Sequence, residues 1–216
     1  MDAATIDYLA RWGHFLAGIT WIGLLYYFNF VQGSYFKEAD DSARVDAFVK
    51  LVPRALWWFR YGALLTFLTG LVMLVPRHTA MTLDIALGAT MGTLMFLNVW
   101  GIIWRNQKIA IASNEQVKAG GAPLPEAAGA AAKALLASRT NTLFSIPMLF
   151  FMGSSAHYSH GIVDFSGTSF LICMAIILAI ELNGIFGKQG PITSVSGVIT
   201  SGFVLTAVMW GIVSIL

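Results

Sequence analysis

Charged residues are scarce in this sequence, and cysteine is nearly absent. Only 11% of the 216 residues are charged, whereas 57% are hydrophobic, and this balance excludes an ordinary water-soluble domain. The net charge of +2, without a basic patch, argues against nucleic acid as a partner. The single cysteine, Cys173, excludes a disulfide framework and a thiolate metal cluster. The lipid bilayer is therefore the expected surrounding of most of the chain.

Long apolar runs define the expected fold. A helix that crosses a membrane needs about 20 apolar residues, and six runs qualify: 8–31, 54–76, 83–104, 141–158, 168–187 and 194–216. Alternating segments typical of a membrane β-barrel do not recur. We expect one all-α domain over residues 1–216, a polytopic transmembrane helical bundle with a helical loop at 105–140. The N-terminus lacks the basic region of a signal peptide, so the first helix should be retained.

Lysine and arginine are distributed unevenly among the loops. Most of them lie in three alternate connections: Lys37, Arg44, Lys50, Arg54; Arg105, Lys108, Lys118, Lys133, Arg139; and Lys188. The connections between these carry only Arg77. Because cytoplasmic loops are enriched in basic residues, the three basic connections should face the cytoplasm and both termini should lie outside.

The histidines all fall in the outer half of this topology. They are His14 in the first span, His78 in a short loop, and His157 and His160 at the end of the fourth span. An ionisable residue within a span indicates function by default. Gly18 lies four residues inward from His14, and Gly153 lies four residues inward from His157. A glycine on the same helix face would let a flat macrocycle approach the backbone.

Neutral imidazole is a common axial ligand of haem iron. We therefore predict that His14 and His157 bind a haem b, with His78, His160 and Arg77 as candidate contacts for its propionates. Three alternatives stay open. His14 could instead hydrogen-bond to another helix, and His78 and His160 could be ordinary loop residues. A zinc site from the four histidines is a third reading, although no HExxH motif or cysteine pair accompanies them.

A second polar group is expected in the inner half of the bundle. It comprises Arg60 in the second span, Asn98 in the third and Glu181 in the fifth. A buried carboxylate in lipid needs a cation or a proton, and an ion pair between Arg60 and Glu181 is the simplest prediction. That pair could lock helices together or form a substrate or proton site.

Four segments carry a resemblance to a known family: "RWGHFLAGITWIGLLYYFNF", "LVPRALWWFRYGALLTFLTG", "NVWGIIWRNQK" and "RTNTLFSIPMLFFMGSSAHY". Together they resemble the membrane portion of bacterial urate hydroxylase, the urate oxidase N-terminal family. The resemblance implies a bacterial inner-membrane oxidoreductase, and the outward termini expected from the basic connections would then be periplasmic. In that family a c-type cytochrome domain follows the membrane portion. This chain contains no CxxCH motif, so we expect it to pass electrons to a separate cytochrome c or a larger redox complex.

The first span also resembles a second family. His14, Trp21, Gly23 and Tyr27 are similar to the first-helix pattern of the membrane-helical protoporphyrinogen oxidase, a b-haem protein. This resemblance implies haem at His14 as well. The alternative from another class is a non-catalytic accessory subunit of a respiratory or photosynthetic membrane complex.

Overall fold

A computed structural model describes residues 1–216 and confirms the all-α fold class. The only β-type pairing is an isolated bridge between Thr82 and Ile162. The α-helices are α1 (Ala3–Tyr26), α2 (Gly33–Glu38), α3 (Asp41–Lys50), α4 (Val52–Leu74), α5 (Leu83–Asn98), α6 (Trp104–Lys118), α7 (Ala127–His157), α8 (Thr168–Phe186) and α9 (Val195–Ile215).

Two of the membrane helices are longer than the sequence predicted. The helical segments Ala3–Glu38 and Leu83–Lys118 each run for 36 residues without a break. Each contains a π-helical segment, Tyr27–Gln32 in the first and Val99–Ile103 in the second. At 1.5 Å per residue such a helix is about 54 Å long, whereas the hydrocarbon core is about 30 Å thick. Both helices are therefore longer than one crossing of the bilayer requires.

The alanine-rich segment and the predicted fourth span form one continuous helix, α7, with Pro147 inside it. Five helical segments are long and apolar enough to cross a membrane, and α7 is not among them. It nevertheless runs through the centre of the bundle and contacts α1, α5, α6, α8 and α9. Because neighbouring helices surround it, α7 carries polar side chains such as Arg139 and Asn141 in buried positions.

The two ends of the bundle differ in composition. At one end α3 packs against α6, and Lys118 Nζ lies 2.7 Å from Asp46 Oδ1. We call this the basic end, because it joins the lysine- and arginine-rich connections. At the other end Arg77 donates two hydrogen bonds to Asp7, of 2.7 and 3.1 Å. We call this the histidine end, because it contains His78, His157 and His160.

Small residues set the closest approaches between helices, as is usual in membrane bundles. A Cβ at Gly62 of α4 would lie 3.2 Å from the backbone nitrogen of Trp21 on α1. A Cβ at Gly88 of α5 would lie 3.2 Å from the backbone nitrogen of Met152 on α7. These contacts hold α1 against α4 and α5 against α7, and they position the polar side chains described below.

Candidate functional site

His14 lies on the side of α1 that faces α4. Its Nδ1 is 2.8 Å from the backbone oxygen of Thr66 and 3.2 Å from Thr69 Oγ1. A carbonyl oxygen can only accept, so Nδ1 carries the ring proton, and Nε2 keeps a free lone pair. Gly70 makes room for the ring, because a Cβ there would lie 3.3 Å from His14 Cε1. His14 thus forms the hydrogen bond to another helix that was one of the alternatives from the sequence, although the sequence does not identify the partners on α4.

The two glycines beside the predicted ligands have different surroundings. A Cβ at Gly18 would lie 3.9 Å from Thr66 Cγ2, so Gly18 belongs to the contact between α1 and α4. A Cβ at Gly153 would have no atom within 4 Å. Gly153 and the exposed His157 instead line a groove between α7 and α9, whose walls are Leu149, Phe150, Gly153, Ser154, His157, Tyr158 and Trp210.

The structure does not bring His14 and His157 to one helix interface. The polar contacts of His14 are all with α4, whereas the groove at His157 is formed by α7, α9 and Tyr158, which ends α7. No group of three or more His, Cys, Asp or Glu side chains is positioned to hold a metal ion. The alternative zinc site therefore lacks a ligand set.

His160 belongs to a buried cluster around Asp84 that the sequence predictions missed. Asp84 is fully buried in the first turn of α5. Its carboxylate accepts hydrogen bonds from the His160 backbone nitrogen at 2.8 Å, from His160 Nδ1 at 2.8 Å and from Ser154 Oγ. His160 Nε2 lies 3.2 Å from Ser214 Oγ on α9. Asp84 thus ties together α5, α7, α9 and the loop after α7.

A sequence signal for Asp84 was available. The segment "TLDIALG" places an ionisable residue just inside an apolar span, and such residues usually have a partner or a function.

The remaining outer candidates, His78 and Arg77, also have polar partners within the protein. His78 Nδ1 is 2.8 Å from the backbone oxygen of Val75, and Arg77 is paired with Asp7. Neither residue lines the groove at His157.

The inner polar group is arranged differently from the prediction. Glu181 Oε2 accepts a hydrogen bond from Asn98 Nδ2 at 3.1 Å. The same amide nitrogen lies 3.0 Å from Asn141 Oδ1, and Asn141 Nδ2 donates to the backbone oxygen of Met95 at 2.9 Å. The predicted ion pair between Arg60 and Glu181 is wrong, because a network of amides from α5 and α7 holds the carboxylate.

Arg60 has an aromatic neighbour in place of an acidic one. Its guanidinium carbon lies 3.4 Å from the centroid of the Trp104 ring, a cation–π contact. Arg139 on α7 is equally buried, with 8% of each arginine exposed. Neither arginine forms an ion pair, and the structure shows no hydrogen bond from either side chain. The bundle therefore contains two buried guanidinium groups without a carboxylate partner.

Comparison with known proteins gives one match. A family model described as urate oxidase N-terminal matches residues 77–210, which is more than half of the chain. The match includes Asp84, Ser154 and His160, the groove at His157 and the Glu181 network, and it begins after His14 and Arg60. Searches of curated proteins and of solved structures give no significant match. The chain is a membrane-type helical protein that belongs to the urate oxidase N-terminal family.

Proposed function

We propose that this protein is a membrane redox protein that binds a b-type haem and transfers electrons from urate hydroxylation to a cytochrome c. The observation that supports this most is the state of His14. His14 lies in an apolar helix of a member of this family. The hydrogen bond at Nδ1 orients its ring, and Nε2 has no hydrogen-bond partner. Both contacts with α4 are made by Nδ1, so the Nε2 lone pair remains available to a ligand.

The surroundings of His14 fit a metal ligand. A ligating histidine almost always donates its other ring N–H to a carbonyl or carboxylate, which fixes the tautomer and orients the ring. The backbone oxygen of Thr66 provides that acceptor, and Gly70 leaves space for the ring. When bound, a haem b would supply one-electron transfer at a potential set by its ligands and surroundings.

His157 is the outer histidine whose ring is free, but it lies in the groove between α7 and α9 and not at the interface of His14 with α4, so the proposal does not assign it to the same haem. No hydrogen bond from the protein restrains its ring, and the space beside Gly153 is open. His78, His160 and Arg77 already have protein partners, so the proposal gives them no haem contact. The assignment of His14 does not depend on His157.

Electron and proton balance defines the rest of the proposal. Hydroxylation of urate with an oxygen atom from water releases two electrons and two protons, and the electrons need an acceptor. With the basic end in the cytoplasm of a bacterium, the histidine end and both termini lie in the periplasm. A cytochrome c on that side would receive the electrons one at a time.

Anaerobic addition of urate to the oxidised, purified protein tests this function. We expect the spectrum of a reduced b-type haem to appear, and reduction of added cytochrome c to follow. A haem that dithionite reduces but urate does not would contradict the urate activity. Such a haem, together with co-purifying subunits, would identify an accessory electron-transfer subunit instead.

A further inference from the structure

Unpartnered buried polar atoms are concentrated at one level of the bundle. Eight buried side-chain nitrogen and oxygen atoms have no hydrogen-bond partner. Seven of them lie toward the basic end: Asn29 Oδ1, Gln32 Oε1, Arg60 Nη1, Trp100 Nε1, Gln107 Oε1, Arg139 Nε and Arg139 Nη1. Buried polar groups are normally satisfied, so a cluster of exceptions at one level needs an explanation.

The two arginines are the most costly members of this cluster. One guanidinium nitrogen of Arg60 and two of Arg139 are buried without a hydrogen-bond partner. A buried donor without a partner costs about 1–3 kcal/mol, and more in a charged group, and arginine does not escape the cost by losing its proton. The acidic residues of the chain do not pair with Arg60 or Arg139. An anion that is not part of the chain would supply the missing charge.

The residues that precede the two arginines both contact the segment Tyr27–Gln32. Asn29 Nδ2 donates to Ser138 Oγ at 2.8 Å, and Ser138 precedes Arg139. Phe28 packs edge-on against Phe59, which precedes Arg60, with ring centroids 5.5 Å apart. The segment Tyr27–Gln32 therefore lies between the parts of α4 and α7 that carry the two arginines.

The second π-helical segment reaches the same level. Tyr61, the residue after Arg60, packs against Trp100 with ring centroids 5.9 Å apart. Arg60 itself lies over Trp104, immediately after that segment. The segment Val99–Ile103 also packs on α7. Because π-helical turns are rare and occur frequently at functional sites, the position of Gln32 and Trp100 within two such turns favours a ligand site.

We propose that Arg60 and Arg139, with Trp100, Gln32 and Gln107, form a binding site for a planar oxopurine anion at the basic end of the bundle. The unpartnered atoms include N–H donors on the arginines and the tryptophan, and carbonyl acceptors on the glutamines. A phosphate group offers acceptors only, whereas an oxopurine offers ring N–H donors as well as carbonyl oxygens. The mixed set therefore favours the oxopurine.

This inference rests on the proposed function for the choice of urate as the ligand. The observation that the guanidinium groups of Arg60 and Arg139 have no partner does not depend on the proposed function. The site is distinct from the proposed haem ligand, because Asn29 lies fifteen residues after His14 on the same helix, a separation of about 22 Å along the helix axis. Substitutions at the arginines should therefore leave haem binding unchanged.

Equilibrium dialysis of labelled urate against the purified, detergent-solubilised full chain tests the site. We expect one urate per chain in the natural protein. Arg60→Gln and Arg139→Gln should each weaken binding by about 10- to 150-fold, the equivalent of losing a charge-assisted hydrogen bond. Trp100→Phe keeps the ring and removes the donor, so it should weaken binding by about 2- to 10-fold. Arg105→Gln, at an exposed position of α6, is the matched control and should bind normally.

Thermal unfolding keeps the test valid if a variant is less well folded. Urate should raise the melting temperature of the natural protein and not that of Arg60→Gln, because only a ligand of the folded state stabilises it. Unchanged urate binding in both arginine variants would overturn the proposal. Stabilisation by phosphatidylglycerol, lost in the same variants and without any urate binding, would also overturn it and assign the arginines to a lipid headgroup.

Haem content measured on the same samples separates the two proposals. Urate binding that depends on the arginines in a protein without haem would support this site and contradict the proposed redox function. A haem protein whose urate binding ignores both arginines would contradict this site alone.

Discussion

The buried network around Glu181 makes a quantitative prediction about which residues are energetically coupled. Asn98 donates to both Glu181 and Asn141, at 3.1 and 3.0 Å. Replacing Asn98 by leucine keeps a similar volume but leaves two buried oxygen atoms without a donor. Each orphaned group costs about 1–3 kcal/mol, and more if it is charged. We therefore expect Asn98→Leu to destabilise the bundle by about 2–5 kcal/mol.

A double-mutant cycle isolates the contact itself. Glu181→Met removes the carboxylate, so Asn98→Leu should cost less in that background, by about 1–3 kcal/mol. The same cycle between Arg60→Met and Glu181→Met should be additive within about 0.5 kcal/mol, because Arg60 lies over Trp104 and does not reach the carboxylate.

Denaturation of the protein in mixed detergent micelles, followed by far-ultraviolet circular dichroism, gives the free energies for both cycles. Equal unfolding cooperativity in all variants is the necessary control. A coupling above 1 kcal/mol between Arg60 and Glu181, with none between Asn98 and Glu181, would restore the ion pair expected from sequence and refute the arrangement described here.

Three further predictions concern other contacts. Gly184→Leu should destabilise the bundle by about 1–3 kcal/mol through overpacking, because even a Cβ there would lie 2.7 Å from Thr140 Oγ1. Detergent denaturation measures this loss of stability. Gly211→Leu is the control, because a Cβ at Gly211 would have no atom within 4 Å. Hydrogen bonds from Lys118 and Lys50 lower the pKa of Asp46 below its usual 3.8. The packing of α3 on α6 should therefore be stable above pH 3.8 and weaken as the pH falls through the lowered pKa of Asp46 in the folded protein. Hydrogen exchange of the α3 amides measures this change. Asp84→Leu should free the loop after α7, as faster proteolysis there would show, whereas unchanged cleavage would contradict the role given to Asp84.

Much of the fold could be predicted because lipid imposes strong rules on sequence. Five of the six predicted apolar runs correspond to helical segments long and apolar enough to cross a membrane, and the first two basic connections meet through Lys118 and Asp46. The lengths of the first and third helices were not predictable in this way. After residues 31 and 104 the helices continue through more polar sequence, which carries no membrane signal.

The buried polar pairings were the least predictable feature. The charges alone predicted an ion pair between Arg60 and Glu181. In the structure the amide of Asn98 lies beside the carboxylate, and the indole of Trp104 lies beside the guanidinium of Arg60. Asn141 was overlooked because it lies in α7, a helix whose central position tolerates polar residues. Only the three-dimensional packing determines which of several buried groups at one depth become neighbours.

The visible difference spectrum of the His14→Ala variant tests the central claim most directly. The comparison uses protein purified in parallel, with His78→Ala as the matched control, because His78 is exposed and held only by the carbonyl of Val75. We predict that dithionite produces the bands of a b-type haem in the natural protein and in His78→Ala, and that correctly inserted His14→Ala loses them. Full haem absorbance in His14→Ala, or no haem in the natural protein, would contradict the account.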